Sequence, residues 1–355
     1  MACVMSSKVS MPSKIFGTVL SHGLRGRMLT KGELQTLAES RDIEELVTRT
    51  KNTIYLDALA KLTKPYTAEK VEGALREYLV NMHAKMVTIA GGSTILDAYF
   101  VKYITMDLKL VLKGKALGKT YEELLPKINL RAEELVGRRD LVVKALVAKD
   151  LDEAVASLAG SEFGEDAAKA VTAYKEKKDV RLFDTYFDHA FYHAIDRALA
   201  TDAQSQEVKK LVSTDIDSYN VLSVLRGKFW GLSQQDISDL IVTTTPKVTQ
   251  EILQKMINTE KPSEAIGELN NTVYRDIVPQ NAANDIDAIM QLEAGFESIA
   301  LKRVVSSFRA VFTVAIMLSA VKLMMIEVKN LAAIAAGVEQ KVPAETIMSR
   351  LTRLE

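Results

Sequence analysis

Apolar residues recur every three or four positions along almost the whole chain. No stretch alternates apolar with polar as a half-buried strand would. The period predicts helices over 16–29, 44–50, 68–89, 96–113, 132–148, 151–159, 165–175, 180–200, 205–226, 248–257 and 263–272. It predicts more over 283–329, in one or two pieces, and over 344–354. Thr30-Lys31-Gly32-Glu33 restarts a helix with a capping box. Lys64-Pro65 and Ala90-Gly91-Gly92-Ser93 break the pattern, and residues 1–15 read as a loose tail. The fold class is all-α. The most apolar run, 310–321, contains Thr313 and Ser319 and then meets Lys322. A spanning helix needs roughly 20 apolar residues, so this run reads as a buried helix.

The helices come in three similar sets. Ile216, Val221, Leu222, Val224 and Leu225 share one broad face, with Asp217 and Asn220 three apart among them. Arg226 and Gly227 follow, and Ser233-x-x-Asp236 starts another helix. Gly227 is expected to end its helix as a left-handed cap, with Arg226 beside the negative end of the dipole. The same corner recurs at Gly114, ahead of the capping box Thr120-x-x-Glu123. It recurs again at Gly337, ahead of Pro343, a favoured first-turn residue. The three glycines are 113 and 110 residues apart.

A second landmark keeps that period: Val71-Glu72-x-x-Leu75, Phe183-Asp184-x-x-Phe187 and Leu292-Glu293-x-x-Phe296 lie 42, 43 and 44 residues ahead of their glycines, counted from the acid. A third lies upstream, at Asp42 to Leu46, Asp150 to Ala154 and Lys261 to Ala265. Three landmarks in one order make an internal repeat. The chain divides into 16–125, 126–242 and 243–355, the last opening near Thr243-Thr244-Thr245-Pro246.

Charge adds little to this picture. Lys plus Arg and Asp plus Glu are 46 each, so no global field draws nucleic acid or anionic lipid, and only local patches can. Cys3 is the only cysteine, which excludes an intrachain disulfide and fits a reducing cytoplasm. The start has no signal-peptide core. If the protein works at a membrane, it is expected to sit on it or on a membrane protein.

Candidate chemistry is sparse. Gly114 to Thr120 looks like a phosphate loop, but it has three residues between the glycines where that loop needs four, and it follows a helix. His189 and His193 stand four apart, with Asp184, Asp188 and Asp196 nearby, a spacing that can ligate a metal. Ala190 stands where a zinc protease needs Glu, and Tyr186, Phe187, Phe191 and Tyr192 make a half-buried aromatic helix the simpler reading. His22 and His83 are isolated. Asp217 with Asn220 and Glu327 with Asn330 recur, which suggests a shared structural task such as bonding a neighbouring backbone turn. In the first repeat Ile104 and Asp107 hold these two slots. Lys113, Lys115, Arg226 and Lys228 put basic charge at two corners, as solvated helix ends or as a contact surface for an acidic partner.

On several of these residues the chain resembles the C subunit of the archaeal and bacterial V/A-type rotary ATP synthases, and is similar to the d subunit of vacuolar ATPases. Arg25-Gly26-Arg27-Met28-Leu29, Tyr55, Leu110 to Leu124, Asp217-x-x-Asn220 and above all the tail from Glu327 through Asn330, Gly337 and Pro343 to Ile347 carry the resemblance. Asp107, Ile104 and a longer amino end depart from the family's pattern. The resemblance implies a three-domain helical funnel with pseudo-threefold symmetry. It implies a non-catalytic central-stalk component on the cytoplasmic face of the membrane. That component would couple the proteolipid rotor ring to the central shaft for proton- or sodium-driven ATP synthesis, or for ATP-driven pumping. No cofactor, metal or nucleic acid enters this picture, and membrane contact would run through the ring. The alternative is a metal-dependent helical enzyme using His189 and His193. A generic helical-repeat scaffold fits less well, because such arrays repeat every 20–50 residues.

Overall fold

The computed structural model describes residues 9–91, 93–201, 206–243, 245 and 247–352. The first eight residues of the expected tail with Cys3, and Gly92, Ser205, Thr244, Pro246 and Leu354, lie outside them. Among the described residues every regular element is a helix.

Seven long helices carry the architecture: α1 (Met11–Arg25), α2 (Ala68–Ala90), α3 (Thr94–Ala116), α4 (Leu182–Thr201), α5 (Gln206–Phe229), α6 (Asp285–Ser307) and α7 (Val314–Glu339). Each of the three sets contributes a hairpin: α2 with α3, α4 with α5, α6 with α7. Local signals place the ends. Thr67 caps α2 by accepting from the Lys70 N–H at 3.2 Å, and Gly91, at φ 50°, ends it in the left-handed region. Asn284 caps α6 through the Asp287 N–H at 3.0 Å.

The repeats pack across their sequence order. α4 lies antiparallel along α3, α6 along α5, and α2 along α7, so the first set closes onto the last. The short helices fill the outside of each pair. Ile43–Thr50 packs on α7, Leu151–Leu158 on α3, and Pro262–Gly267 on α5. The third landmark explains these starts. Asp42 and Asp150 accept from the N–H groups of Glu45 and Glu153 at 2.8 and 2.9 Å, and Glu264 accepts from the Glu260 N–H at 3.1 Å. Three apolar clusters result. One joins α2, α7 and the amino-terminal helices, one lies between α3 and α4, and one lies between α5 and α6.

The apolar run behaves as its composition demands, with one change. Residues 310–313 make the turn out of α6. From Ala315 to Val321 α7 is buried, Ser319 included. A helix apolar all round has to be enclosed, and each buried Leu, Ile or Met contributes roughly 1.5–3 kcal/mol. Among the described residues no helix is long and apolar enough to cross a membrane.

Other expectations need correction. Residues 11–15, expected in the tail, form the first turn of α1, capped by Ser10 and opened by Pro12. The expected helix over 132–148 is split by Gly137, whose φ of 68° separates Arg131–Leu135 from Arg139–Val147. Gly227 is not the left-handed cap of its helix. α5 runs past it to Phe229, and the left-handed residue is Gly231, at φ 65°. Pro343 serves as the cap residue itself, with Ala344 first in the helix.

Candidate functional site: three corners and a central chamber

What the corner glycines do is provide closeness. A Cβ on Gly227 would sit 2.7 Å from Ile237 Cγ1, and one on Gly337 would sit 2.6 Å from Ile347 Cδ1. One on Gly114 would collide with Leu124. Each partner stands ten residues beyond its glycine, on the short helix that folds back over it. The turn between is the same each time. Lys119, Leu232 and Val342 donate their N–H to the carbonyls of Gly114, Gly227 and Gly337 at 2.9, 2.9 and 2.8 Å. The residue before each donor is left-handed: Gly118 at φ 70°, Gly231 at 65°, Lys341 at 57°. The apparent phosphate loop is therefore a helix end whose N–H groups are spent internally, with Thr120 capping the next helix.

The recurring Asn does bond a neighbouring turn. Asn220 accepts from the Val242 N–H at 3.1 Å and donates to the Thr243 carbonyl at 3.0 Å. Asn330 accepts from the Thr352 N–H at 3.1 Å and donates to its carbonyl at 2.6 Å. The acid beside it holds a buried tyrosine. Tyr274 and Thr245 donate to Asp217, while Tyr55 and the Leu29 N–H donate to Glu327. Burial pushes both carboxyl pKa values up, and these bonds hold them back.

The first repeat's departure is now intelligible. With Ile104 in the acid slot, the partner pocket holds Phe163 rather than a phenol, and both sit in one apolar cluster. A shared turn marks the three aromatic positions, a signal that sequence reading passed over. Thr53, Ser161 and Thr272 each accept from the N–H two residues on, at 3.2, 3.2 and 3.0 Å, placing Tyr55, Phe163 and Tyr274 alike.

The four basic corner residues are engaged within the chain. Lys113 pairs with Asp184 at 2.6 Å and Arg226 with Glu293 at 2.8 Å. Both acids belong to the second landmark of the following repeat, so each pair fastens one long helix to the next. Lys228 donates to the Ile257 carbonyl at 2.8 Å and also to that of Thr259, and Lys115 to that of Ala148. Each caps the end of a short helix. The third corner has Ala336 and Val338 in these places.

Between α3, α4, α5 and α6 lies a polar cavity of about 600 Å³. Asp215 of α5 accepts from Tyr99 of α3 and from Lys322 of α7, so one nearly buried carboxylate ties three long helices together. Lys109 pairs with Asp188 across the same cavity, and Tyr192 stacks on Tyr219 at 4.2 Å. Lys102, an exposed residue, also lines it, with no ion-pair partner among the described residues. Sequence reading missed this cluster. Its one signal was Lys322, a lone charge ending an apolar run.

Comparison with known proteins decides the assignment. The family model described as ATP synthase (C/AC39) subunit matches residues 18–350. The chain belongs to that family. Three relatives, each named as the C subunit of an A-type ATP synthase, agree. The one from Methanocaldococcus jannaschii is 23% identical over 342 residues, covering 92% of this chain and 83% of the relative. Those from Desulfurococcus and Pyrococcus horikoshii are 25% and 26% identical, each covering 91% of this chain and 86% of the relative. An ATP synthase (C/AC39) subunit is a non-catalytic component of a rotary ATPase, not an enzyme in its own right.

The histidines give the metal-enzyme alternative no support. His189 Nδ1 is bonded to Asp166 at 2.7 Å and its ring lies 5.7 Å from that of His193. Burial lowers the His193 pKa. Among the described residues no group of three ligating side chains could hold a metal ion. His83 is a core residue, fully buried between Tyr103 and the Leu96 carbonyl, its pKa pushed down to about 3 by burial.

Proposed function

We propose that this ATP synthase component is a coupling socket, seated on the cytoplasmic face of the proteolipid rotor ring and receiving the foot of the central shaft. It turns with both as one body, so that proton or sodium flow and ATP chemistry stay coupled. The three repeats, 16–125, 126–242 and 243–355, serve as three walls of a funnel. The observation that carries this reading is the closed packing order, in which α2 returns to α7. A ring of helices without a free end resists torsion better than an open stack, because every long helix is fastened on both sides. Lys102, a cation open to the chamber with no ionic partner among the described residues, suits an acidic group of the shaft. Lys113, Lys115, Arg226 and Lys228 would help to bind a partner only through the parts of their side chains that the internal bonds leave open.

Affinity purification of the tagged chain from native membranes, with identification of the co-purifying proteins, tests the reading. Shaft and ring proteins should come down together, and the isolated chain should hydrolyse no ATP. Recovery without any shaft or ring protein would sink it. Cross-links from Lys102 to a shaft carboxylate would place the contact.

A further inference from the structure

Helix α1 carries its large apolar side chains outward. The face buried against α7 is made of Gly17, Thr18, Ser21 and Leu24. Met11, Ile15, Phe16 and Val19 form the opposite stripe, 60, 46, 55 and 65% exposed. The close seat on α7 is enforced, since a Cβ on Gly17 would collide with Met317. The turn between α6 and α7 extends the patch. The Phe312 N–H donates to Thr18 Oγ1 at 2.9 Å, and Val311 and Phe312 are 47 and 43% exposed. Phe312 holds a φ of 61°, a left-handed backbone that an aromatic residue seldom adopts.

The two segments that carry this patch hold charge of one sign. No Asp or Glu occurs in 1–32 or 298–326, in a chain with 46 of them, whereas Lys14, Arg25, Arg27, Lys302 and Arg309 do occur there. An exposed apolar patch on segments whose only charges are cations is uncommon on a protein that meets only water.

We propose that α1 and the 311–312 turn dock on an anionic lipid bilayer, the apolar stripe entering at headgroup depth and the cations meeting lipid phosphates. A second copy is the poorer occupant, because two cationic segments would then face each other.

The test uses the full chain, floated with phosphatidylcholine vesicles with and without phosphatidylglycerol. The parent should bind the anionic vesicles and be released by salt. The double variant Phe16→Asp/Val19→Asp, at exposed positions that leave the α7 contact intact, should bind roughly tenfold or more weakly while keeping its circular dichroism. Three outcomes would overturn the proposal: no binding by the parent, equal binding by the variant, or binding only to vesicles that carry the proteolipid ring. A concentration-dependent dimer abolished by the same substitutions would also overturn it, by assigning the patch to a second copy.

Discussion

Asp107→Asn should repair the first corner, and the gain should grow with pH. In the other two repeats an Asn in this slot both donates to and accepts from backbone 22 or 23 residues on. Asp107 faces the Asn129 N–H, at that same distance along the chain, but it can donate in return only while it holds a proton. Beside it lies Glu133, fully buried. Burial raises the pKa of both carboxyls, the Glu133 charge raises that of Asp107 further, and Arg76, 3.9 Å from Asp107, opposes only part of this.

A carboxyl whose folded pKa exceeds its unfolded one stabilises the fold while it is protonated. That contribution is whole below about pH 4 and drains away as pH climbs toward the raised folded value. Across that window the folded parent keeps a proton on Asp107 that the unfolded chain has released, which costs about 1.4 kcal/mol per pH unit. The Asn variant lacks that loss. Its advantage should be about 1 kcal/mol at pH 5 and about 4 kcal/mol at pH 7. Urea unfolding followed by circular dichroism at pH 5, 6 and 7 measures it. An advantage that stays flat with pH, or an Asn variant weaker than the parent at pH 7, would refute the reasoning. Glu133→Gln, which removes the other raised carboxyl, should reproduce the slope.

Asp215→Ala leaves Lys322 and Tyr99 without their partner in a nearly buried site, and should cost about 3 kcal/mol in urea unfolding. Asn330→Ala strands a half-buried N–H and carbonyl at Thr352, for about 1–2 kcal/mol, with faster amide exchange confined to 340–352. Gly337→Ala overpacks Ile347 and should lose about 1–3 kcal/mol. Gly73→Ala, where a Cβ meets nothing within 4 Å in the middle of α2, should instead gain about 0.5–1 kcal/mol of melting stability.

Local signals were enough to determine that this chain is helical and that it says the same thing three times. Helical period, the capping residues Thr30, Asp42, Thr120, Asp150 and Ser233, and the spacing of Gly114, Gly227 and Gly337 all act within a few residues of themselves. Such interactions can be read in one dimension. Tertiary structure decided the rest. Whether a glycine is a left-handed cap or a gap for a neighbour depends on what folds over it, and Ile237 and Ile347 are visible there only in space. Which helix lies beside which is set by apolar faces that look alike in sequence, so the return of α2 to α7 could not be read from either. The knot at Asp215 joins residues from three repeats. A buried charge finds its partner through the whole fold, because only the fold removes the water that would otherwise compete for it.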